Sequence, residues 1–256
     1  MREDHNLSPP ASLPDFIEEI RRRTPARIFV HRGTAYSTRM ELELRGAHAC
    51  AVDAVWRDFD LEKDLPQELV AHWKLFQVSS RAESKSQFLL RPDLGRRLSE
   101  DSKSLVARNC PSAPDIQIVI GDGLSGAAVS EQIPALFPLL QERARSRGWS
   151  IGRSFAVRYC RVGIINDVGE LLAPRVLVLL IGERPGLATA ASLSAYMAYQ
   201  PRSGHTDANR NLVSNIHARG VGVEDAADRI TNLGARMMAA RGSGTSLKEG
   251  TELLPT

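Results

Sequence analysis

Residues 175–186 read Arg175-Val176-Leu177-Val178-Leu179-Leu180-Ile181-Gly182-Glu183-Arg184-Pro185-Gly186. Val176 to Ile181 is an unbroken aliphatic run. It is too short for a membrane helix, which needs about 20 apolar residues. Such a run, without alternation and ended by Gly and Pro, predicts a central strand buried on both faces, as in a parallel sheet. Two charges and three turn-formers follow directly at its carboxyl end. In open α/β sheets that edge is where ligands sit, so the chemistry is sought there.

Two segments upstream, 115–120 and 154–160, have the same short apolar character. Residues 164–172 form a brief helical crossover between the second strand and the third. Between the first two strands, Val129, Ile133, Leu136, Leu140 and Ala144 mark one face of a helix. Pro134 and Pro138 each remove a backbone donor and predict a break or kink there, and Gly148 supplies the stop. Strand–helix–strand alternation with short links implies an α/β fold with a parallel sheet and right-handed crossovers. Downstream, 193–199 reads as a further strand and 201–217 as a polar loop. A last amphipathic helix over 224–241 turns Ala227, Ile230, Leu233 and Met237 inward, and a Gly/Ser-rich mobile tail is expected after it.

Upstream, residues 1–13 are polar and Pro-rich and read as a disordered tail. Residues 14–73 read as a small helical N-terminal unit, and 74–256 as the main domain. Ser12 is placed to cap a helix over 14–23 that ends in Arg21-Arg22-Arg23. A second helix is expected over 38–56, where Met40, Leu44, Ala47, Ala51 and Val55 share a face. A third begins at Asp64 with Pro66 and runs through Trp73. From Leu75 the pattern changes to two extended runs, 75–78 and 87–90, read as a hairpin. Arg91-Pro92-Asp93-Leu94-Gly95-Arg96-Arg97 follows, with Asp93 as cap for a helix running towards Asn109. Arg96 and Arg97 either hold an anion or a partner's carboxylates, or are solvated helix charges.

Composition narrows the function classes. The 256 residues are 43% hydrophobic and 25% charged, which is ordinary for a globular core. A net charge of +3 without a basic block argues against nucleic acid. Cys50, Cys110 and Cys160 are far apart and form no CxxC, so neither a zinc site nor a disulfide framework is indicated. The N-terminus leads into no apolar stretch, which predicts an intracellular protein without a signal peptide or membrane span.

Gly121-Asp122-Gly123-Leu124-Ser125-Gly126 satisfies G-x-G-x-x-G between a strand and a helix, the dinucleotide arrangement. Asp122 puts a carboxylate where pyrophosphate would lie, and the acidic ribose ligand is missing. The same loop nearly spells a nucleophile elbow around Ser125, with Asp207 and His217 following in hydrolase order, although a Ser before a helix is first a cap. The six histidines offer no metal-ligand spacing. Glu183, at the end of the buried strand, either accepts hydrogen bonds from a ligand's amides or hydroxyls or pairs locally with Arg184 or Arg175.

Five motifs occur in one order: Arg91-Pro92-Asp93-Leu94-Gly95-Arg96-Arg97, Asp122-Gly123-Leu124-Ser125, Arg158-Tyr159-Cys160-Arg161-Val162, Gly182-Glu183-Arg184-Pro185-Gly186-Leu187, and Thr206-Asp207-Ala208-Asn209-Arg210-Asn211-Leu212-Val213-Ser214-Asn215. Together they resemble the small (light) subunit of ethanolamine ammonia-lyase, from about Thr24 to the last helix. The resemblance implies a Rossmann-like, mostly parallel sheet with flanking helices. It also implies an enzyme that converts ethanolamine to acetaldehyde and ammonia with adenosylcobalamin. The light subunit would enclose the corrin against a TIM-barrel large subunit that holds substrate, and would carry no catalytic acid, base, nucleophile or metal ligand. By position Val162, Glu183 and Leu212 match the family's cobalamin contacts, with Leu212 where the family usually has Cys. Arg161 and Gly182 are added as their neighbours. Asp122 and Ser125 either reach the cofactor's nucleotide side or cap the following helix; the cap is favoured. The implied location is the cytoplasm or a bacterial microcompartment. The stretch ahead of the first helix is short beside the extension of encapsulated members, which leaves encapsulation open. A nicotinamide-dependent oxidoreductase and a non-catalytic interaction module remain as alternatives.

Overall fold

The computed structural model describes Glu19 and residues 36–247. The tail over 1–13, the helix expected over 14–23 and the mobile tail's last residues, 248–256, lie outside the described residues. Helix α1 (Thr38–Trp56) begins where Ser37 accepts the Met40 N–H at 3.3 Å, and coincides with the expected second helix. Only Ala54 of this helix is buried, while Leu42, Val52 and Trp56 remain exposed. A short helix that was not expected, α2 (Leu61–Asp64), comes next, and the expected third helix follows as α3 (Gln67–His72). Asp60 caps α2, and Pro66 stands immediately before α3.

Strand β1 (Phe76–Ser79) is followed by a helix, α4 (Lys85–Leu90), so the expected hairpin does not form. Ser84 accepts the Gln87 N–H at 3.2 Å, and this cap turns an ambiguous apolar run into a helix with Lys85 and Phe88 inward. Asp93 does not cap the following helix. Its carboxylate is held by Arg91 at 2.8 Å beside a 3₁₀ turn over Leu94–Arg96. The helix itself, α5 (Glu100–Asn109), is capped by Ser99.

Strand β2 (Ile116–Gly121), helix α6 (Gly126–Ser146), strand β3 (Phe155–Arg158), helix α7 (Ile164–Leu172) and strand β4 (Val176–Gly182) follow as the alternation predicted. Helix α6 runs unbroken through Pro134 and Pro138. The two rings lie four residues apart on its half-exposed flank, where water can take the freed carbonyls. Burial of Ile133, Leu136, Phe137 and Leu140 on the other flank outweighs the lost hydrogen bonds.

Strands β5 (Leu193–Tyr199) and β6 (Asn211–Ile216) precede the last helix, α8 (Val223–Ala240). The segment expected to be a polar loop thus contains an edge strand, with Val213 and Ile216 buried. The six-stranded sheet has the order β1-β3-β2-β4-β5-β6. It is mixed: β1, β3, β2 and β4 run parallel, and β5 and β6 are antiparallel to their neighbours. The aliphatic run in β4 reports burial, not the direction of its neighbours. A parallel neighbour needs a long crossover, and no helix lies between β4 and β5.

The alternation within β4 divides the core into two layers. Val176, Val178 and Leu180 join α6, α8 and the side chains of Phe59, Leu61 and Leu65 on one face. Leu177, Leu179 and Ile181 join α5 and α7 on the other. Every aliphatic residue of this run is therefore in the core. No helix among the described residues is long and apolar enough to cross a membrane.

Candidate functional site

The carboxyl ends of β3, β2 and β4 lie side by side, because those strands are adjacent and parallel. Their three following turns carry Arg161-Val162, Gly123-Leu124 and Glu183-Arg184. The antiparallel β5 starts at the same edge and β6 ends there. Together they line a groove of about 280 Å³. All five site residues expected from the sequence, Arg161, Val162, Gly182, Glu183 and Leu212, lie on it. Leu212 projects from the edge strand opposite Tyr196 and keeps 42% of its surface exposed.

Each residue is placed by a distinct contact. Glu183 does not pair with Arg175, which is held by Asp115 at 2.8 Å. Its carboxylate instead accepts the Ser192 hydroxyl on Oε2 at 2.7 Å and the Ser194 hydroxyl on Oε1 at 2.5 Å. Oε1 also accepts the Asn215 N–H at 2.9 Å. A carboxylate offers about four lone-pair sites, so Oε2 keeps one for a donor in the groove. The acceptor is thus fixed in direction by β5 and the end of β6 before any ligand arrives.

Asp122 does not cap helix α6, contrary to expectation. It is fully buried, and its two oxygens accept the Tyr159 and Cys160 N–H groups, each at 2.8 Å. Tyr159 has a φ of +55°, a conformation costly for a non-glycine residue, and this carboxylate holds it there. Asp122 therefore orients the turn that presents Arg161 and Val162. Burial pushes its pKa from 3.8 up to about 6, against the pull of these hydrogen bonds and nearby Lys85. The Lys85 ammonium is itself buried without a hydrogen-bond partner, and burial lowers its pKa.

Ser125 is the expected cap: its Oγ accepts the Ala128 N–H at 3.2 Å and donates to the Ala190 carbonyl at 2.5 Å. It is fully buried, and His217 accepts the N–H of Arg219 on Nδ1, so the elbow has no assembled triad. The dinucleotide site is closed as well. Gly126 opens α6 against Phe59, 3.3 Å from where a Cβ would stand, and the Gly182 carbonyl accepts the Leu124 N–H at 3.1 Å. Among the described residues no three His, Cys, Asp or Glu side chains are grouped to hold a metal.

The sequence reading missed Ser192, Ser194 and Asn215 as the groups that set Glu183. Alternation of small polar and apolar residues in β5 was the available signal. It also missed Leu124 and Tyr196 as lining residues.

Residues 14–248 match the profile of the family described as "Ethanolamine ammonia-lyase light chain (EutC)". The chain belongs to that family. It is 38% identical over 233 residues to the ethanolamine ammonia-lyase small subunit of Clostridium acetobutylicum, covering 91% of this chain and 94% of that one. The same subunit of Fusobacterium nucleatum subsp. nucleatum is 39% identical, covering 97% of this chain and 82% of the relative. That of Ralstonia nicotianae is 37% identical, over 99% and 95% respectively. The light-chain family is named for a subunit of a carbon–nitrogen lyase, and "small subunit" names a chain that works beside a larger one. In this light-chain fold the turn after β3, the turn after β4 and strand β6 come from the motifs that carry the family resemblance.

Proposed function

We propose that this chain is the light subunit of an adenosylcobalamin-dependent ethanolamine ammonia-lyase, and that its groove covers the corrin against the large subunit. One observation carries the reading: five residues chosen from the sequence, spread from 161 to 212, converge on one groove. The donor set also suits the cofactor. A corrin is a broad apolar ring edged with neutral amides, and it calls for aliphatic contact and a few directed acceptors. Val162, Leu124, Ile181 and Leu212 supply the first, and the unused lone pair on Glu183 Oε2 supplies the second.

When bound, the cofactor supplies the radical chemistry that moves the amino group of the substrate. This chain's contribution is binding and exclusion. Glu183 holds a ring-edge amide, Leu212 and Val162 cover the ring, and the light subunit keeps water from the reacting centre. Val52 and Trp56 of α1, together with Leu187 beyond Glu183, adjoin the groove across Leu124 and Arg184. They form the apolar rim that the large subunit covers.

Glu183→Ala tests the reading in the purified complex with its large subunit. Loss of one charge-assisted hydrogen bond is expected to weaken cobalamin retention at least tenfold, measured by the visible spectrum after gel filtration. Unchanged retention with an intact complex would remove Glu183 from the cofactor surface. The nicotinamide alternative has little support, since the start of α6 is closed by Phe59 and Gly182.

A further inference from the structure

Lys85 is the first residue of α4, follows its Ser84 cap and is only 7% exposed. Three costs meet at this side chain. Its ammonium is out of water, its Nζ has no hydrogen-bond partner among the described residues, and a positive charge stands at the positive end of a helix. The Phe88 ring, with its centroid 5.3 Å from Nζ, offsets part of this. A buried charge without a partner needs a further reason to be where it is.

The charges around this ammonium come from other elements: Asp122 in the loop after β2, Asp58 ahead of α2, and Arg158 and Arg161 at the end of β3 and in its turn. Burial lowers the Lys85 pKa. Asp122 is the largest charge resisting it, ahead of Asp58, and the two arginines act with burial. Asp58 is already engaged, since it accepts the Tyr159 hydroxyl at 3.1 Å and lies 3.9 Å from Arg158. Arg161 stacks on the Phe88 ring at 4.3 Å and donates to the Phe88 carbonyl at 3.3 Å. Asp122 is held by backbone N–H groups, which carry no full charge, so Lys85 is its counter-charge. Packing ties the two together: Phe88, beside the ammonium, stacks at 6.0 Å on Tyr159, whose N–H Asp122 accepts.

We propose that Lys85 is a positioning residue: its buried ammonium keeps the Asp122 carboxylate on the Tyr159 and Cys160 amides, and so holds the turn that presents Arg161 and Val162 to the groove. This anchoring is a property of the chain alone; its service to the cofactor surface rests on the function proposed above. Without Lys85, an ionised Asp122 is buried against dipoles only. It then takes up a proton at higher pH or leaves for water, and either weakens its hold on the turn. An opposite charge at close range lowers a carboxylate's pKa by about one unit or more. The stability that wild type loses between about pH 4 and 6 should therefore go on being lost to about pH 7 once the ammonium is removed.

Urea unfolding of the full chain across pH tests this, with Asp122→Asn as the non-titrating reference in each background. In Lys85→Met the difference between Asp and Asn should level off at least about one pH unit higher than in wild type, a further loss of about tenfold in the folding constant. Lys85→Arg should keep the wild-type window. A lysine that only packs would lower both members of the Lys85→Met pair alike, so an unmoved window overturns the proposal. Near pH 7, hydrogen exchange at the Tyr159 and Cys160 amides should quicken about tenfold in Lys85→Met and not in Lys85→Arg; unchanged exchange would show that Lys85 has no hold on the turn. If Lys85→Met does not fold, the coupling is read from the other side. NMR of labelled lysine follows the titration of Lys85 in wild type and in Asp122→Asn, where reciprocity lowers its midpoint by about one unit or more. An unmoved midpoint overturns the proposal as well. None of these measurements involves the cofactor, whereas the Glu183→Ala retention test does, so the two readings fail separately.

Discussion

Asp122→Ala should destabilise the chain by about 3 kcal/mol at neutral pH, the cost of leaving two buried N–H groups without acceptors. The carboxylate spans the Tyr159 and Cys160 amides at 2.8 Å and keeps Tyr159 left-handed. Its removal frees the turn that carries Arg161 and Val162. Two measurements follow: urea unfolding for the stability loss, and the alkylation rate of Cys160. That thiol is fully buried in the wild type, and burial raises its pKa well above the usual range. Faster alkylation in the variant would report an open turn; an unchanged rate with unchanged stability would show that Asp122 does not anchor it.

The same residue has a pH signature. Its pKa is raised from 3.8 to about 6 by burial, so the folded chain holds this proton more tightly than the unfolded one. The linked stability is complete below about pH 4 and is lost as pH rises to about 6. Above that the ionised group is carried at a desolvation cost that its two N–H donors offset in part. Asp122→Asn cannot titrate. The wild-type stability relative to this variant should therefore fall between about pH 4 and 6 and level off above, in denaturation curves taken across that window. A difference that does not change with pH would contradict the assignment.

Gly182→Ala should be as damaging by a different route. A Cβ at this position would overlap the Ser125 carbonyl and stand 2.7 Å from the Asp122 carbonyl oxygen, both backbone atoms. Neither yields as a flexible side chain would. Overpacking of this kind costs about 3 kcal/mol, or roughly 10 °C in Tm for a chain of this size, readable by thermal unfolding. The loss should appear in the chain without any cofactor, which separates it from loss of a ligand contact. A Tm within about 2 °C of wild type would show that the end of β4 and the loop after β2 can separate freely.

The sequence was most informative where burial and periodicity spoke together. The run 176–181 announced a central strand, and the 129–144 spacing announced the long helix that covers it. It was least informative where one local contact decides. Ser84 makes a helix of 85–90, whose three apolar letters alone suit either structure. Pro134 and Pro138 argued for a break that packing overrides. Strand β6 was hidden because its outer residues, Leu212 and Ser214, are those that line the groove and do not look like a core face. The antiparallel half of the sheet was hidden for a related reason: hydropathy records what is covered, not which way the neighbour runs. The groove residues themselves were legible through family resemblance. The hydroxyls that aim Glu183 were not, since serines carry no mark of what they hold.

The order of the segments around Glu183 sets a timetable for biosynthesis. Its partners at 192, 194 and 215 all follow it in the chain, and Leu212 comes from the last strand among the described residues. A nascent chain that has displayed only its parallel half lacks the two hydroxyls and the amide that aim Glu183, so this acceptor is set only once residue 215 has been made.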